Sequence, residues 1–93
     1  MKLIRDKIPG MPDKVWKEVD KKESLDYLKL KLFEEVLELA DSDFKDINEY
    51  GDVLEVLMEL SKRQKIKWTS IEVARGIKLK ENGGFSNKVL IDV

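Results

Sequence analysis

Residues 34–52 read EEVLELADSDFKDINEYGD, and the rest of the chain is organised around this stretch. It contains two pairs of carboxylates, Glu35 with Glu38 and Glu49 with Asp52, and three positions separate the members of each pair. In a helix, this spacing puts both carboxylates of a pair on one face, where their like charges repel. A divalent cation, which prefers oxygen ligands, would offset that repulsion. The stretch therefore raises the hypothesis of a metal site.

Apolar residues at helical spacing predict two helices that share this stretch. The first should begin after a capping pattern, Asp20 followed by Glu23, and run from about residue 21 to 40. The second should run from about residue 44 to 63. Because the break at 41–43 is short, we expect the helices to form an antiparallel hairpin. The residues expected to face the core are Leu25, Leu28, Leu32, Val36 and Leu39 on the first helix and Ile47, Tyr50, Leu54, Leu57 and Met58 on the second, with Val53, Val56 and Leu60 widening the second stripe.

The segments outside the hairpin are shorter. Thr69 with Glu72 is a second capping box, which predicts a third helix that ends at Gly83. Residues 1–10 and 85–93 are expected to form short extended arms, and the two arms could pair with each other. The sequence therefore predicts an all-α fold, built from a helical hairpin, a third helix and two arms.

Composition limits the chemistry that the chain can perform. Its length of 93 residues predicts one domain, 1–93, and its formal net charge of −1 gives no basic surface for nucleic acid. It contains no apolar run long enough for a transmembrane helix and no apolar signal core, so we expect no membrane partner and a cytoplasmic location. Because it contains no cysteine and no histidine, thiolate sites, most zinc sites and histidine bases are excluded.

The positions of the carboxylates relative to the apolar stripes bear on the metal hypothesis. At about 100° per residue, Glu35 lies only roughly 20 to 40° beyond the apolar arc of the first helix, and Glu49 lies within the arc of the second. A carboxylate among apolar residues is costly unless it is paired or binds a metal. Both residues are seven positions from Ser42, so they should lie at similar depth in the hairpin. Glu34, which points away from the stripe, is expected to be a surface residue.

Two interpretations of the acidic residues remain open at this point. Acidic residues on an amphipathic helix usually form a solvated face, and Lys31, four positions before Glu35, would neutralise one of them. The alternative is a metal site formed by both carboxylate pairs. In the absence of histidine, carboxylate ligands favour Mg²⁺ or Mn²⁺ over iron or zinc.

The two pairs also resemble the signature of a known family. The pattern Glu35-x-x-Glu38 followed by Glu49-x-x-Asp52 is similar to the ExxE…ExxD motif of MazG-like nucleoside triphosphate pyrophosphohydrolases, which belong to the all-α NTP pyrophosphatase superfamily. Ten residues separate Glu38 from Glu49, slightly fewer than is usual in that family. This departure predicts a tight turn between the first two helices.

Both ends of the chain extend the resemblance. Residues 2–9, KLIRDKIP, resemble the KLVRDKIP opening of small family members. Residues 82–85, NGGF, resemble their closing RGGF, with Asn82 in place of the arginine. The resemblance therefore covers nearly the whole chain in the same order, and the missing arginine removes one expected phosphate contact.

The resemblance implies an enzyme that hydrolyses a nucleoside triphosphate to the monophosphate and pyrophosphate with Mg²⁺, in a house-cleaning role. Water would attack the α-phosphorus, and either Glu35 or Glu38 would orient it. Phosphoribosyl-ATP or a modified nucleotide is an alternative substrate. The implied metal ligands are Glu35, Glu38, Glu49 and Asp52, and the cations expected to bind the substrate are Arg5, Lys7, Lys31, Lys80 and Lys88. Each of these cations has an alternative interpretation as an ordinary surface charge.

The second predicted helix is apolar around most of its circumference, and three helices cannot easily cover such a surface. An exposed apolar patch of that size predicts an interface. We therefore expect a homodimer or a dimer of dimers, in which a second copy completes a four-helix bundle across a two-fold axis. The rival to the enzyme is a non-catalytic helical dimer of the same fold that serves as a protein-interaction module.

Overall fold

The computed structural model describes residues 3–7 and 16–93, and this part of the chain contains three helices and no strand. Helix α1 spans Lys21–Asp41, α2 spans Ile47–Arg63 and α3 spans Trp68–Asn82. The prediction of an all-α arrangement with three helices is therefore confirmed for the described residues. None of these three helices is both long enough and apolar enough to cross a membrane.

Helix α1 begins where the capping pattern predicts. The side chain of Asp20 accepts a hydrogen bond of 2.7 Å from the backbone N–H of Glu23, which satisfies one of the unpaired donors of the first turn. At the other end, the Ser42 hydroxyl donates to the carbonyl of Leu39 at 2.7 Å and accepts from the backbone N–H of Asp46 at 3.2 Å. One hydroxyl therefore links the end of α1 to the start of α2.

Helix α2 begins three residues later than predicted. Asp43 and Phe44 have φ angles of 57° and 58°, in the left-handed region that does not continue a right-handed helix. The turn therefore extends to Asp46, whose side chain accepts from the backbone N–H of Asn48 at 2.9 Å and caps α2. The Tyr50 hydroxyl donates to the carbonyl of Phe44 at 3.0 Å and holds this turn against the first turn of α2.

The prediction that Thr69 caps the third helix is wrong. The N-cap of α3 is Lys67, whose side chain makes no capping hydrogen bond, and Thr69 lies inside the first turn. The chain leaves α2 through Lys65, which has a φ of 60°, and it re-enters helical conformation before it reaches Thr69. The predicted stop is confirmed, because Gly83, with a φ of 79°, ends α3.

The core lies between α1 and α2, and of these two helices α3 contacts only α2, at a few positions. Among the described residues, the buried side chains come only from the hairpin and include one carboxylate. They are Leu28, Glu35 and Leu39 of α1 and Val56 and Ser61 of α2. The hairpin is therefore the unit that positions the candidate site.

The apolar stripe predicted to turn α2 toward the core is exposed instead. Its members are between 38% and 81% exposed, namely Ile47, Tyr50, Leu54, Leu57 and Met58. The apolar residues of α2 that are withdrawn from solvent are Val53, Val56 and Leu60, which had been expected only to widen the stripe. Helix α2 is therefore rotated about its axis relative to the predicted orientation. Glu49 and Asp52 are withdrawn from solvent beside Val56, and the more apolar stripe lies roughly 100° or more around α2 from that side.

The described part of the N-terminal arm, residues 3–7, lies along the hairpin with Leu3 half-buried. Residues 83–93 are exposed and form neither helix nor strand. The expected pairing of the two arms is not found among the described residues. The rest of the predicted N-terminal arm, residues 1–2 and 8–10, lies outside the described residues, as do residues 11–15.

Candidate metal centre

Glu35 is the centre of the candidate site. It is only 4% exposed, and its Oε1 lies 2.9 Å from the Nζ of Lys31, one helical turn earlier. Its second oxygen, Oε2, is buried and has no hydrogen-bond partner among the described residues. Because an unpaired buried carboxylate oxygen is costly, this atom indicates a ligand that the described chain does not supply.

Helix α2 brings two further carboxylates to the same place. One oxygen from each of Glu35, Glu49 and Asp52 lies within 4.8 Å of the others. That separation suits a single cation, since Mg²⁺ and Ca²⁺ bind oxygen ligands at about 2.0 to 2.6 Å. The Oε2 of Glu49 is also buried and unpartnered among the described residues. Glu35 and Glu49 therefore lie at similar depth in the hairpin, as the sequence predicts. Together with Asp52 they form a three-carboxylate cluster, which we call the α1–α2 triad.

The pKa of Glu49 is raised above its ordinary value of 4.5. Partial burial of the carboxyl group is the largest cause, because it disfavours the charged form. Repulsion by four neighbouring carboxylates adds to it, from Glu38, Asp52, Glu35 and Asp46 in order of decreasing effect. A bound cation would act in the opposite direction on the same carboxyl group.

A second group of carboxylates lies on α1 alone. One oxygen from each of Glu34, Glu35 and Glu38 lies within 4.8 Å of the others, and we call this group the α1 triad. Glu38, a predicted ligand, therefore lies in a separate group, which shares Glu35 with the α1–α2 triad. The expectation that Glu34 is a plain surface residue is wrong, because it is half-buried and lies 3.7 Å from the Nζ of Lys31. Lys31 precedes both Glu34 and Glu35 by one turn, and its ammonium group draws the two carboxylates together.

Arg5 supplies a cation from outside the hairpin. Its Nη2 donates to the Oδ1 of Asp52 at 2.6 Å, and the two side chains are 61% and 35% exposed. This charge-assisted hydrogen bond ties the N-terminal segment to α2. Arg5, like Lys31, is thus a predicted substrate-binding cation that contacts a predicted metal ligand.

An open groove of about 690 Å³ lies beside the triads and collects several of the predicted residues. Arg5, Lys7 and Lys31 line it together with Glu35 and Asp52. The other two predicted cations do not line this groove. Lys80 lies exposed in the last turn of α3, and Lys88 lies in the exposed C-terminal segment.

The donor set fits a hard divalent cation. All the candidate ligand atoms are carboxylate oxygens, and two of them, Glu35 Oε2 and Glu49 Oε2, are buried without a partner in the described chain. Oxygen-only sites are typical of Mg²⁺, Mn²⁺ and Ca²⁺. The residues present could therefore hold Mg²⁺ as the sequence predicts.

Comparisons of the chain with protein-family models, with curated proteins and with solved structures give no match. Any functional assignment therefore depends on the carboxylates, the cations beside them and the groove. Those features define what the site could do chemically, which is to hold a hard cation in a groove that carries three basic side chains among five carboxylates.

Proposed function

We propose that the chain hydrolyses a nucleoside triphosphate to the monophosphate and pyrophosphate in the presence of Mg²⁺ or Mn²⁺. The observation that carries this proposal is the convergence of Glu35, Glu49 and Asp52 within 4.8 Å, with two of their oxygens buried and unpartnered among the described residues. The groove beside them, lined by Arg5 and Lys31, offers cations for polyphosphate oxygens. The resemblance of both carboxylate pairs to the MazG-like signature supports the same reaction.

The proposed roles follow from burial and charge. Glu35, Glu49 and Asp52 hold the cation, and Glu38 completes the set through its neighbour Glu35. When bound, Mg²⁺ supplies charge neutralisation for the phosphate oxygens and lowers the pKa of water. Either Glu35 or Glu38 orients the attacking water in this proposal.

The cations of the groove serve the leaving group in this proposal. Water attacks the α-phosphorus and gives a proton to the carboxylate that orients it, the bond from that phosphorus to the bridging oxygen breaks, and pyrophosphate leaves with additional negative charge. The planar guanidinium of Arg5 suits two phosphate oxygens at once, and Lys31 adds a point charge at the groove wall. Lys7, which lies in the same N-terminal segment as Arg5, adds a third cation to the groove.

The test is pyrophosphate release from a panel of ribo- and deoxyribonucleoside triphosphates with Mg²⁺. Glu49→Gln conserves side-chain volume but removes a ligand, so its turnover should fall by at least about 100-fold. Glu81→Gln, at an exposed position on α3, is the matched control and should keep wild-type turnover. Wild-type turnover in Glu49→Gln, or an equal loss in the control, would refute the proposed site.

We further propose that the chain acts as a homodimer or a dimer of dimers. The groove occupies one side of the hairpin, where Lys31 and Glu35 of α1 meet Asp52 and Glu59 of α2. Both helices also carry exposed apolar side chains outside this groove, which we call the apolar side of the hairpin. They include Leu30, Phe33 and Leu37 on α1, each between 64% and 67% exposed, and the exposed stripe of α2. A second copy that packs on such residues would complete a four-helix bundle.

The same apolar side supports the second candidate function, a helical interaction module without catalysis. Exposed apolar side chains continue beyond the hairpin, at Val73 and Ile77 of α3 and at Leu90 and Ile91 of the C-terminal segment. Contiguous apolar surface is typical of protein-binding sites. Binding of Mg²⁺ without cleavage of any nucleotide in the panel would favour this candidate over the enzyme.

A further inference from the structure

We propose that Arg5 is a built-in counter-cation of the candidate metal centre, which competes with the divalent cation for Asp52 and is released when that cation binds. The inference rests on the proposed metal site. It goes beyond that site because it assigns to one residue two successive partners, first a carboxylate and then a phosphate.

The first step of the argument is the position of the guanidinium. Arg5 Nη2 lies 2.6 Å from Asp52 Oδ1, and an oxygen of Asp52 lies within 4.8 Å of ligand oxygens from Glu35 and Glu49. A dication held by these three carboxylates would therefore share Asp52 with a positively charged group. Two cations on one carboxylate repel each other, and they also compete for its lone pairs.

The second step is a contrast between the two cations at the site. The Lys31–Glu35 pair is nearly enclosed, with side chains 16% and 5% exposed, whereas the Arg5–Asp52 pair is 61% and 35% exposed. Exposed ion pairs contribute little free energy, and breaking an enclosed pair leaves an uncompensated buried charge. The cation that yields to a dication is therefore Arg5, and Lys31 stays in place.

The third step concerns what Arg5 does after its release. It belongs to the short segment 3–7, which lines the groove together with the carboxylates and also carries Lys7. Once its guanidinium leaves Asp52, it remains at the groove, where its planar fork can bind phosphate oxygens. Arg5 should thus weaken the binding of the metal alone and strengthen the binding of a metal–polyphosphate complex.

The experiment measures these two opposite effects of Arg5. Isothermal titration calorimetry of the full chain would measure first Mg²⁺ alone and then inorganic pyrophosphate in saturating Mg²⁺. Arg5→Ala should lower the apparent Kd for Mg²⁺ by roughly two- to fivefold, as expected for removal of one exposed charge pair, and should raise the Kd for pyrophosphate at least as much. Arg5→Lys keeps the charge, so each of its two Kd values should lie between that of the wild type and that of Arg5→Ala. Lys17→Ala removes one charge at an exposed position and should change neither Kd.

A second measurement follows the release directly. Trypsin cleaves after Arg5 only when the guanidinium is free to enter the protease. In the wild-type chain, Mg²⁺ should accelerate this cleavage. Asp52→Asn, which removes the charge that holds Arg5, should be cleaved rapidly both with and without Mg²⁺.

The outcomes separate this inference from the proposed function. Unchanged or weaker Mg²⁺ binding in Arg5→Ala would overturn the competition and make Arg5 a positioning residue for Asp52, with the metal centre intact. Slower cleavage after Arg5 in the presence of Mg²⁺ would overturn the release. If neither the wild type nor Arg5→Ala bound Mg²⁺, the metal centre itself would be refuted, and the competition with it.

Discussion

The Nζ of Lys31 lies 2.9 Å from Oε1 of Glu35, and the two side chains are only 16% and 5% exposed. An ion pair this enclosed differs in kind from the surface pairs elsewhere on the hairpin, because loss of either member leaves a charge away from water. Substitution of Lys31 therefore tests how much this pair contributes to the stability of the folded chain.

Lys31→Met should destabilise the chain by about 2 to 4 kcal/mol in the absence of divalent cations, because Glu35 loses its partner. Lys29→Met removes an exposed lysine from the same helix and should cost less than about 0.5 kcal/mol. Urea denaturation in EDTA would compare the two variants, and equal midpoints would show that the pair contributes little. Mg²⁺ should restore part of the stability that Lys31→Met loses, since it would bind the same carboxylates.

The raised pKa of Glu49 predicts how stability depends on pH. Above 4.5, the folded chain holds the Glu49 proton more tightly than the unfolded chain does, so stability falls as the pH rises through the interval between 4.5 and the raised pKa. Glu49→Gln removes this loss. In EDTA its Tm should therefore exceed that of the wild type at about pH 7, and the two should converge as the pH falls below 4.5.

Glu55→Gln is the control for this prediction, because Glu55 is exposed on the same helix and belongs to neither triad. It should retain the wild-type dependence of Tm on pH. If Glu49→Gln retained that dependence as well, the carboxyl group of Glu49 would not be the group whose raised pKa sets the dependence of stability on pH.

Self-association should depend on the apolar side of the hairpin. Leu54, in the middle of the exposed stripe of α2, is 47% exposed in the single chain, and Leu54→Lys would place a charge in the proposed interface. The dimer dissociation constant should rise by at least about tenfold, as measured by sedimentation equilibrium. Ser70→Lys adds a charge at an exposed polar position of α3 and should leave association unchanged. A monomeric wild-type chain would refute the dimer outright.

The turn between α1 and α2 should be sensitive to Ser42. Its hydroxyl bonds to both Leu39 and Asp46, so Ser42→Ala should cost about 1 kcal/mol of unfolding free energy. Ser70→Ala, at an exposed position in α3, should cost less than about 0.5 kcal/mol in the same urea titration. Equal effects of the two substitutions would mean that the double contact of Ser42 does not order the turn.

The parts of the fold that the sequence predicted are those decided by local chemistry. The cap at Asp20 and the stop at Gly83 each depend on one side chain or one backbone conformation. The common depth of Glu35 and Glu49 follows from counting residues out from a short turn. These features need no knowledge of what the helices pack against.

The parts that were missed depend on contacts that the spacing of apolar residues does not show. Asp43 and Phe44 adopt left-handed conformations in a turn that is held by the hydroxyls of Ser42 and Tyr50. The spacing of apolar residues does not predict these conformations. Helix α2 carries two apolar stripes, and the one that faces α1 lies on the same side as Glu49 and Asp52. Glu34 was missed although its signal was present, since Lys31 lies three positions before it.

The loose attachment of α3 has a consequence for how the chain unfolds. Only Trp68 and Ile71 of this helix are half-buried, and its remaining residues are exposed. Cooperative unfolding requires that each element lose stability when its neighbour melts, and α3 shares too little surface with the hairpin for that coupling. In an isolated chain, the amide hydrogens of α3 should therefore exchange with solvent through local openings far cheaper than global unfolding, while those of α1 and α2 exchange together.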